Sequence, residues 1–190
     1  MVALTFRRAT MDDAPRLRDL MEHAFSTNDS RPNWTGDADL ASKYTLKLEQ
    51  MQVGLATENL VTFAVMNDAG DIIASVAVGK KDGMEDVGRI SSLIVQDEYQ
   101  RGGVGGQVLT YAEEFSKNEL GVKKLWLNAL STRTALRAWY KSRGYQETGE
   151  TTPFPRDYSP FASCTIPQGL CFVEMMKDVE RTQEDIAGKE

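Results

Sequence analysis

Residues 93–109 constrain the rest of the chain more than any other stretch. Leu93, Ile94 and Val95 end an apolar run, four glycines follow within five residues (Gly102, Gly103, Gly105 and Gly106), and Val104, Val108, Tyr111 and Phe115 then recur at helical spacing. Glycines let the backbone reach positive φ and approach a ligand closely. Successive N–H groups turned into one concavity bind an anion, which the positive end of a helix dipole favours further. The periodicity predicts a helix of about twelve to fourteen residues with one buried face and an open first turn. The layout predicted is a strand, an anion cradle made of backbone, and a helix aimed at the anion.

Spacing narrows the anion. A nucleoside-triphosphate loop needs Gly-Lys followed by Ser or Thr, and here Gln107 follows Gly106. A dinucleotide fingerprint needs a third glycine where Val108 stands. A turn that joins strand to helix and binds nothing stays open on the glycines alone.

Length and composition bound the class. A chain of 190 residues suits one domain with a core that needs no disulfides. With 41% apolar and 26% charged residues it has the make-up of a soluble globular protein. The formal net charge of −6 argues against a nucleic-acid partner, which calls for clustered Lys and Arg, and is compatible with cationic amine substrates. Cys164 and Cys171 are too few for a disulfide framework or a zinc site, so two reduced thiols and no metal are expected. The N-terminal residues lack a signal-peptide pattern, and no apolar run approaches the roughly 18 residues of a membrane span. A cytoplasmic protein without a membrane partner is expected.

Taken in order, residues 3–8 alternate as an edge strand. Thr10, Asp12 and Asp13 mark a helix start, continued by Leu17, Leu20, Met21, Ala24 and Phe25. Residues 28–36 are loop-like, and a second helix is predicted over residues 37–52 through Leu40, Tyr44, Leu48 and Met51. Trp34 and Tyr44 read first as packing residues. Residues 60–66 and 72–78 predict an antiparallel pair, residues 80–88 a polar irregular stretch, and residues 89–95 and 123–130 two strands joined by the helix. A short helix over residues 134–145 closes at Gly144. Residues 151–169, with Pro153, Pro155, Pro160 and Pro167, read as a long loop, and residues 170–176 as the last strand. One domain over residues 3–178 with a polar tail over residues 179–190 is the economical reading.

Two motifs at a matching separation carry a resemblance. Gln100, Gly103 and Gly105 form Gln-x-x-Gly-x-Gly, and Trp139-Tyr140 and Gly144-Tyr145 follow downstream. With the element order, they resemble the GNAT N-acetyltransferase superfamily over about residues 3–178. The resemblance implies an α/β (α+β) GNAT fold: a mixed, mostly antiparallel sheet of six or seven strands, helices on both faces, and a splay at the central parallel strands. It implies acetyl-coenzyme A in that splay as co-substrate. Backbone groups of Leu93, Ile94 and Val95 would pair with the pantetheine arm, and Gln100, Arg101, Gly102, Gly103, Val104, Gly105 and Gly106 would surround the pyrophosphate. It also implies Tyr140 as the general acid for the departing thiolate, since a phenol with a pKa near 10 is protonated at neutral pH. Transfer would be direct, with a backbone N–H near Ile94 stabilising the oxyanion.

The sequence departs from the family pattern at two positions. Arg133 stands seven residues before Tyr140, where many members carry a pantetheine-contacting Asn, and so falls in the coenzyme site, with Asn128, Ser131 and Thr132 as substitutes. Arg89 falls where many carry a glutamate base, which leaves Glu85 as the candidate base beside Asp86, Ser92 or a water relay. His23, the lone histidine, reads as a surface or packed residue. The acceptor implied is a small-molecule primary amine. The alternatives are a protein or peptide amine, or a module that binds acetyl-coenzyme A without turnover. Residues 151–169 would shape the acceptor pocket or a homodimer contact.

Overall fold

The computed structural model describes residues 3–26, 44–155 and 166–179. Its strands are β1 (Thr5–Arg8), β2 (Leu60–Met66), β3 (Ile72–Lys81), β4 (Met84–Val95), β5 (Lys124–Leu130), β6 (Gln146–Pro153) and β7 (Cys171–Asp178). They form one sheet in the order β1-β2-β3-β4-β5-β7-β6. Among the described residues the helices are α1 (Ala14–Ser26), α2 (Leu48–Leu55), α3 (Val104–Asn118) and α4 (Thr134–Ser142). Neighbouring strands run antiparallel except β4 and β5, which α3 connects in parallel. The mixed, mostly antiparallel sheet that the resemblance implied is thus present.

Residues 72–79 of β3 are all buried, the mark of a central strand covered on both faces. On one face α3 and α4 set Val104, Val108, Leu109 and Tyr140 against Val76, Val78 and Leu125. On the other, α1 and α2 set Leu17, Leu20 and Met51 against Ala64, Ile94 and Leu130. Each such aliphatic side chain contributes about 1.5–3 kcal/mol on leaving water. The start of α1 is pinned to β1 by Asp13, whose carboxylate accepts both guanidinium nitrogens of Arg7 (2.6 and 2.7 Å) and the Thr10 N–H (2.8 Å). Those bonds, the Arg7 pair foremost, hold the Asp13 carboxyl down at about 2.

The parallel pair is short. Only Val87, Gly88 and Arg89 of β4 register with Lys124, Leu125 and Trp126 of β5. Both strands then run on, to Val95 and Leu130, without pairing. A register shift against β3 between Ser75 and Ala77, with Ser92 at φ 51°, bends β4 at this point, as a bulge does. The sheet therefore splays between β4 and β5.

Several sequence expectations need correction. Residues 80–88 are a hairpin in which Lys81 registers with Met84, and they are polar because that end of the sheet is exposed. Of the helix expected over residues 37–52, residues 44–47 are not helical and residues 48–52 are, in a helix that extends to Leu55; residues 37–43 lie outside the described residues. Residues 151–153, within the expected loop, instead end strand β6, an edge strand exposed along most of its length, so no apolar alternation announces it. Trp34, Leu40, Pro160, Cys164 and residues 180–190 lie outside the described residues. No helix among the described residues is long and apolar enough to cross a membrane.

Candidate active site

The anion cradle is built by local rules. After Val95 the chain makes a 3-10 turn over Asp97–Tyr99, and Gln100 ties it to the strand by donating from Nε2 to the Val95 carbonyl (2.9 Å) and Asp97 Oδ1 (2.8 Å). Arg101 and Gly103 then adopt left-handed backbone, φ 65° and 82°. Alternation with such residues turns successive amides the same way. Gly103 caps α3, and the Gln107 N–H makes the first intrahelical bond, to the Gly103 carbonyl (3.1 Å). The amides of Val104, Gly105 and Gly106 precede it and have no acceptor within the helix, so they point at whatever sits before it.

The splay and the cradle open into one cleft of about 470 Å³. Leu93, Ile94 and Val95 form its β4 wall, with Gln100, Arg101, Gly103, Gly105 and Gly106 at the cradle and Arg133 and Tyr140 opposite. Gly102 and Val104 are not in the wall. The Val104 side chain is fully buried in the core, and a Cβ on Gly102 would face the Tyr99 carbonyl at 3.7 Å. The Val95 carbonyl is already taken by Gln100, which narrows the strand edge left for a ligand.

Glu85 is not brought to the site. It is exposed and paired with Lys80 (2.7 Å), while Asp86 lies 3.7 Å from Lys123. Glu85 sits five residues before Ile90, the first β4 residue of the wall, which is about 16 Å at about 3.3 Å per residue. Hydrophilic residues at the start of β4 serve the exposed hairpin instead. Among the substitutes considered for the missing Asn, Asn128 lines the cleft, whereas Ser131 Oγ accepts the Cys171 N–H (3.4 Å). Ser92 lines the cleft at the bulge. His23 stands outside it, 3.3 Å from Asp97. Tyr44 packs, stacked on Phe25 with ring centroids 4.7 Å apart.

Tyr140 is buried, edge-on to Trp139 (5.0 Å) and Tyr145 (5.8 Å). Burial pushes its phenol up to about 12, against the opposing charge of Arg133. Tyr140 nonetheless lines the cleft. Arg133 holds its guanidinium 5.5 Å from the ring centre of Phe25 at the mouth of the same cleft.

Sequence reasoning missed Arg143 as a cleft residue. Leu136, Trp139 and Tyr140 of α4 and Arg143 at its C-terminal cap line the wall at helical spacing, a period that would have pointed to Arg143 once Tyr140 was chosen. The Arg143 guanidinium folds over the first turn of α3, with both terminal nitrogens 2.9 Å from where a Cβ on Gly106 would stand, and lies 5.3 Å from the Trp139 ring. No carboxylate stands within ion-pair distance of Arg143 among the described residues. A cation held against the positive end of a helix without a counter-ion is electrostatically incomplete until an anion enters between them.

The fold and the cleft together define an acetyltransferase. The family model for the GNAT acetyltransferase family matches residues 17–145, about two thirds of the chain, and the chain belongs to that family. No curated protein sequence matches it. Solved structures agree in fold at low identity. A ribosomal-protein-alanine N-acetyltransferase from Brucella melitensis is 18% identical with a TM-score of 0.67, over 92% of this chain and 99% of the other. A spermidine N-acetyltransferase chimera built in part from Vibrio cholerae is 14% identical with a TM-score of 0.65, over 98% and 99%. A protein from Salmonella typhimurium, provisionally described as an acetyltransferase and solved with its cofactor acetyl-CoA, is 15% identical with a TM-score of 0.65, over 95% and 96%.

Proposed function

We propose that the protein transfers an acetyl group from acetyl-coenzyme A directly to a primary amine of a small molecule. The observation that carries this reading is the meeting of Arg143 with the open first turn of α3: three amides without an acceptor in the helix, and a guanidinium with no carboxylate paired to it among the described residues, converge where a diphosphate would sit. The residues present fit such a coenzyme. Gly103 and Gly105 carry no side chain into the cradle, Gly106 makes room for the Arg143 guanidinium, and the unpaired edge of β4 over residues 90–95 offers backbone groups to an extended arm. When bound, acetyl-coenzyme A supplies an acyl group already activated as a thioester.

The side chains then have separate tasks. Arg143, with Arg101 at the other side of the cradle, holds the diphosphate. Backbone N–H near Ile94 on the bent strand polarises the acyl carbonyl. Tyr140 keeps its proton at neutral pH and gives it to the leaving sulfur as the C–N bond forms and the C–S bond breaks; the proton shed by the amine nitrogen passes to solvent, which reprotonates the phenolate. Arg133 places positive charge beside the same sulfur. No nucleophilic Ser or Cys takes part. Phe25, stacked on Tyr44, closes the α1 side of the cleft, which favours a small acceptor over an extended peptide.

A thiol-release assay with acetyl-coenzyme A and a broad panel of amines and short peptides tests the reading. Turnover with a small amine is expected. Peptides as the sole acceptors would move the assignment to a protein acetyltransferase, and tight coenzyme binding with no turnover on any amine would leave a binding module.

A further inference from the structure

We infer that the acceptor amine also carries a carboxylate and that Arg89 is the residue that holds it; this rests on the acetyl-transfer reading above. The argument starts from which way β4 turns its side chains. A Cβ on Gly88 would touch Val122 and Leu125 (3.1 Å each) and Ser116 (3.3 Å), so Gly88 faces α3. Strand alternation puts Arg89 on the opposite face, the one α1 covers further along, with Ser91 beside it at the cleft wall. Arg89 registers with Trp126 in the last rung before the splay, one residue before Ile90, where the cleft wall begins on β4.

Among the described residues, other charges at this end of the sheet stand in pairs: Lys80 with Glu85 (2.7 Å), Lys124 with Asp178 (3.7 Å) and Lys81 with Glu174 (3.3 Å). Glu174 faces the Arg89 side from β7, opposite Asn128 of the cleft wall. Its carboxylate is fully engaged: Oε2 accepts Trp126 Nε1 (2.8 Å) and Lys81 Nζ (3.3 Å), and Oε1 accepts Thr152 Oγ1 (2.9 Å). Lys81 also lies 4.5 Å from the Trp126 ring centre, so Lys81 and Glu174 neutralise each other. The Trp126 hydrogen bond, first among several, holds Glu174 below the usual carboxylate range, which makes it a poor proton acceptor. Arg89 is exposed and has no ion-pair or hydrogen-bond partner among the described residues.

Among the described residues Arg89 is therefore a positive charge with no carboxylate paired to it, although the protein carries −6 overall. Near charges outweigh distant ones once separations exceed the screening length of about 8–10 Å. An acceptor with a second positive charge is repelled here, while a guanidinium fork matches a carboxylate in two parallel hydrogen bonds. Ile94 lies five residues beyond Arg89 with one absorbed by the bulge, about 13 Å along the strand at about 3.3 Å per residue. The arginine side chain spans part of that distance. An amino acid anchored by its carboxylate, with the reacting amine several bonds away, spans the rest.

The test compares matched amines in the thiol-release assay: γ-aminobutyrate and 5-aminopentanoate, their carboxamides, and the diamine putrescine with spermidine. The carboxylates are expected to show kcat/KM at least about tenfold above the carboxamides and polyamines, a difference of about 1.4 kcal/mol. In Arg89→Gln that ratio is expected to fall to near one, and in Arg89→Lys to recover in part. Calorimetry with acetyl-coenzyme A on each variant shows that it is folded. Carboxamides or polyamines used as well as the carboxylates, a ratio unmoved in Arg89→Gln, or coenzyme binding with no panel amine turned over would each overturn the inference. Absence of coenzyme binding in the wild type would overturn the acetyl-transfer reading, and the inference with it.

Discussion

The guanidinium of Arg143 occupies the space that a side chain on Gly106 would need, 2.9 Å from the position of its Cβ. Helix α4 can place a cation against the first turn of α3 only because residue 106 has no Cβ. The two positions should therefore fail together. Gly106→Ala pushes the arginine tip aside and is expected to raise the dissociation constant for acetyl-coenzyme A about tenfold; Arg143→Gln, which removes a charge-assisted contact of about 1.5–3 kcal/mol, about ten- to a hundredfold. Isothermal titration at two salt concentrations checks both, and Arg143→Gln should also weaken the salt dependence.

Tyr140 yields a kinetic prediction. Tyr140→Phe removes the proton donor and leaves the ring in place, so kcat is expected to fall about 10²–10³-fold with coenzyme affinity retained. The pH profile carries the sign. A phenol raised to about 12 stays protonated throughout the working range, so activity should climb as the acceptor amine deprotonates and show no descending limb below about pH 10. A pH–rate profile of wild type and variant measures this, and full activity in Tyr140→Phe would remove the acid assignment.

Asp13 yields a prediction about stability. Its folded-state carboxyl sits at about 2 against an ordinary 3.8, so its contribution is complete above about pH 4 and is lost as pH falls through about 2. Arg7 is 40% exposed, and solvent screens the pair. Asp13→Asn is expected to cost on the order of 1–2 kcal/mol at pH 7 and much less at pH 2. Urea unfolding at the two pH values reads the difference.

What the sequence made legible was local. The cradle from Gln100 to Gly106 obeys turn and helix-start chemistry that acts within a few residues, and the apolar runs that became β2, β3 and β7 announce themselves by composition. The misses depend on tertiary placement. Strand β6 is held by pairing with β7 and carries no apolar face. Arg143 matters through its approach to Gly106, a residue 37 positions earlier in the chain. Glu85 had the right chemistry for a base, and only the course of β4 shows it to be at the wrong end.

Residue 103 offers the most direct measurement. Its backbone at φ 82° favours glycine, with Asn and Asp the best tolerated alternatives, and no atom lies within 4 Å of a Cβ there. Gly103→Asp and Gly103→Asn are nearly the same shape and differ in one charge at the start of α3. The aspartate favours the helix dipole, so Gly103→Asp should fold at least as stably as Gly103→Asn. A diphosphate in the cradle would be repelled by that same charge. Calorimetric titration with acetyl-coenzyme A is expected to show Gly103→Asp binding at least about tenfold more weakly than Gly103→Asn. Equal affinity in the two variants would contradict a coenzyme held at the N-terminus of α3.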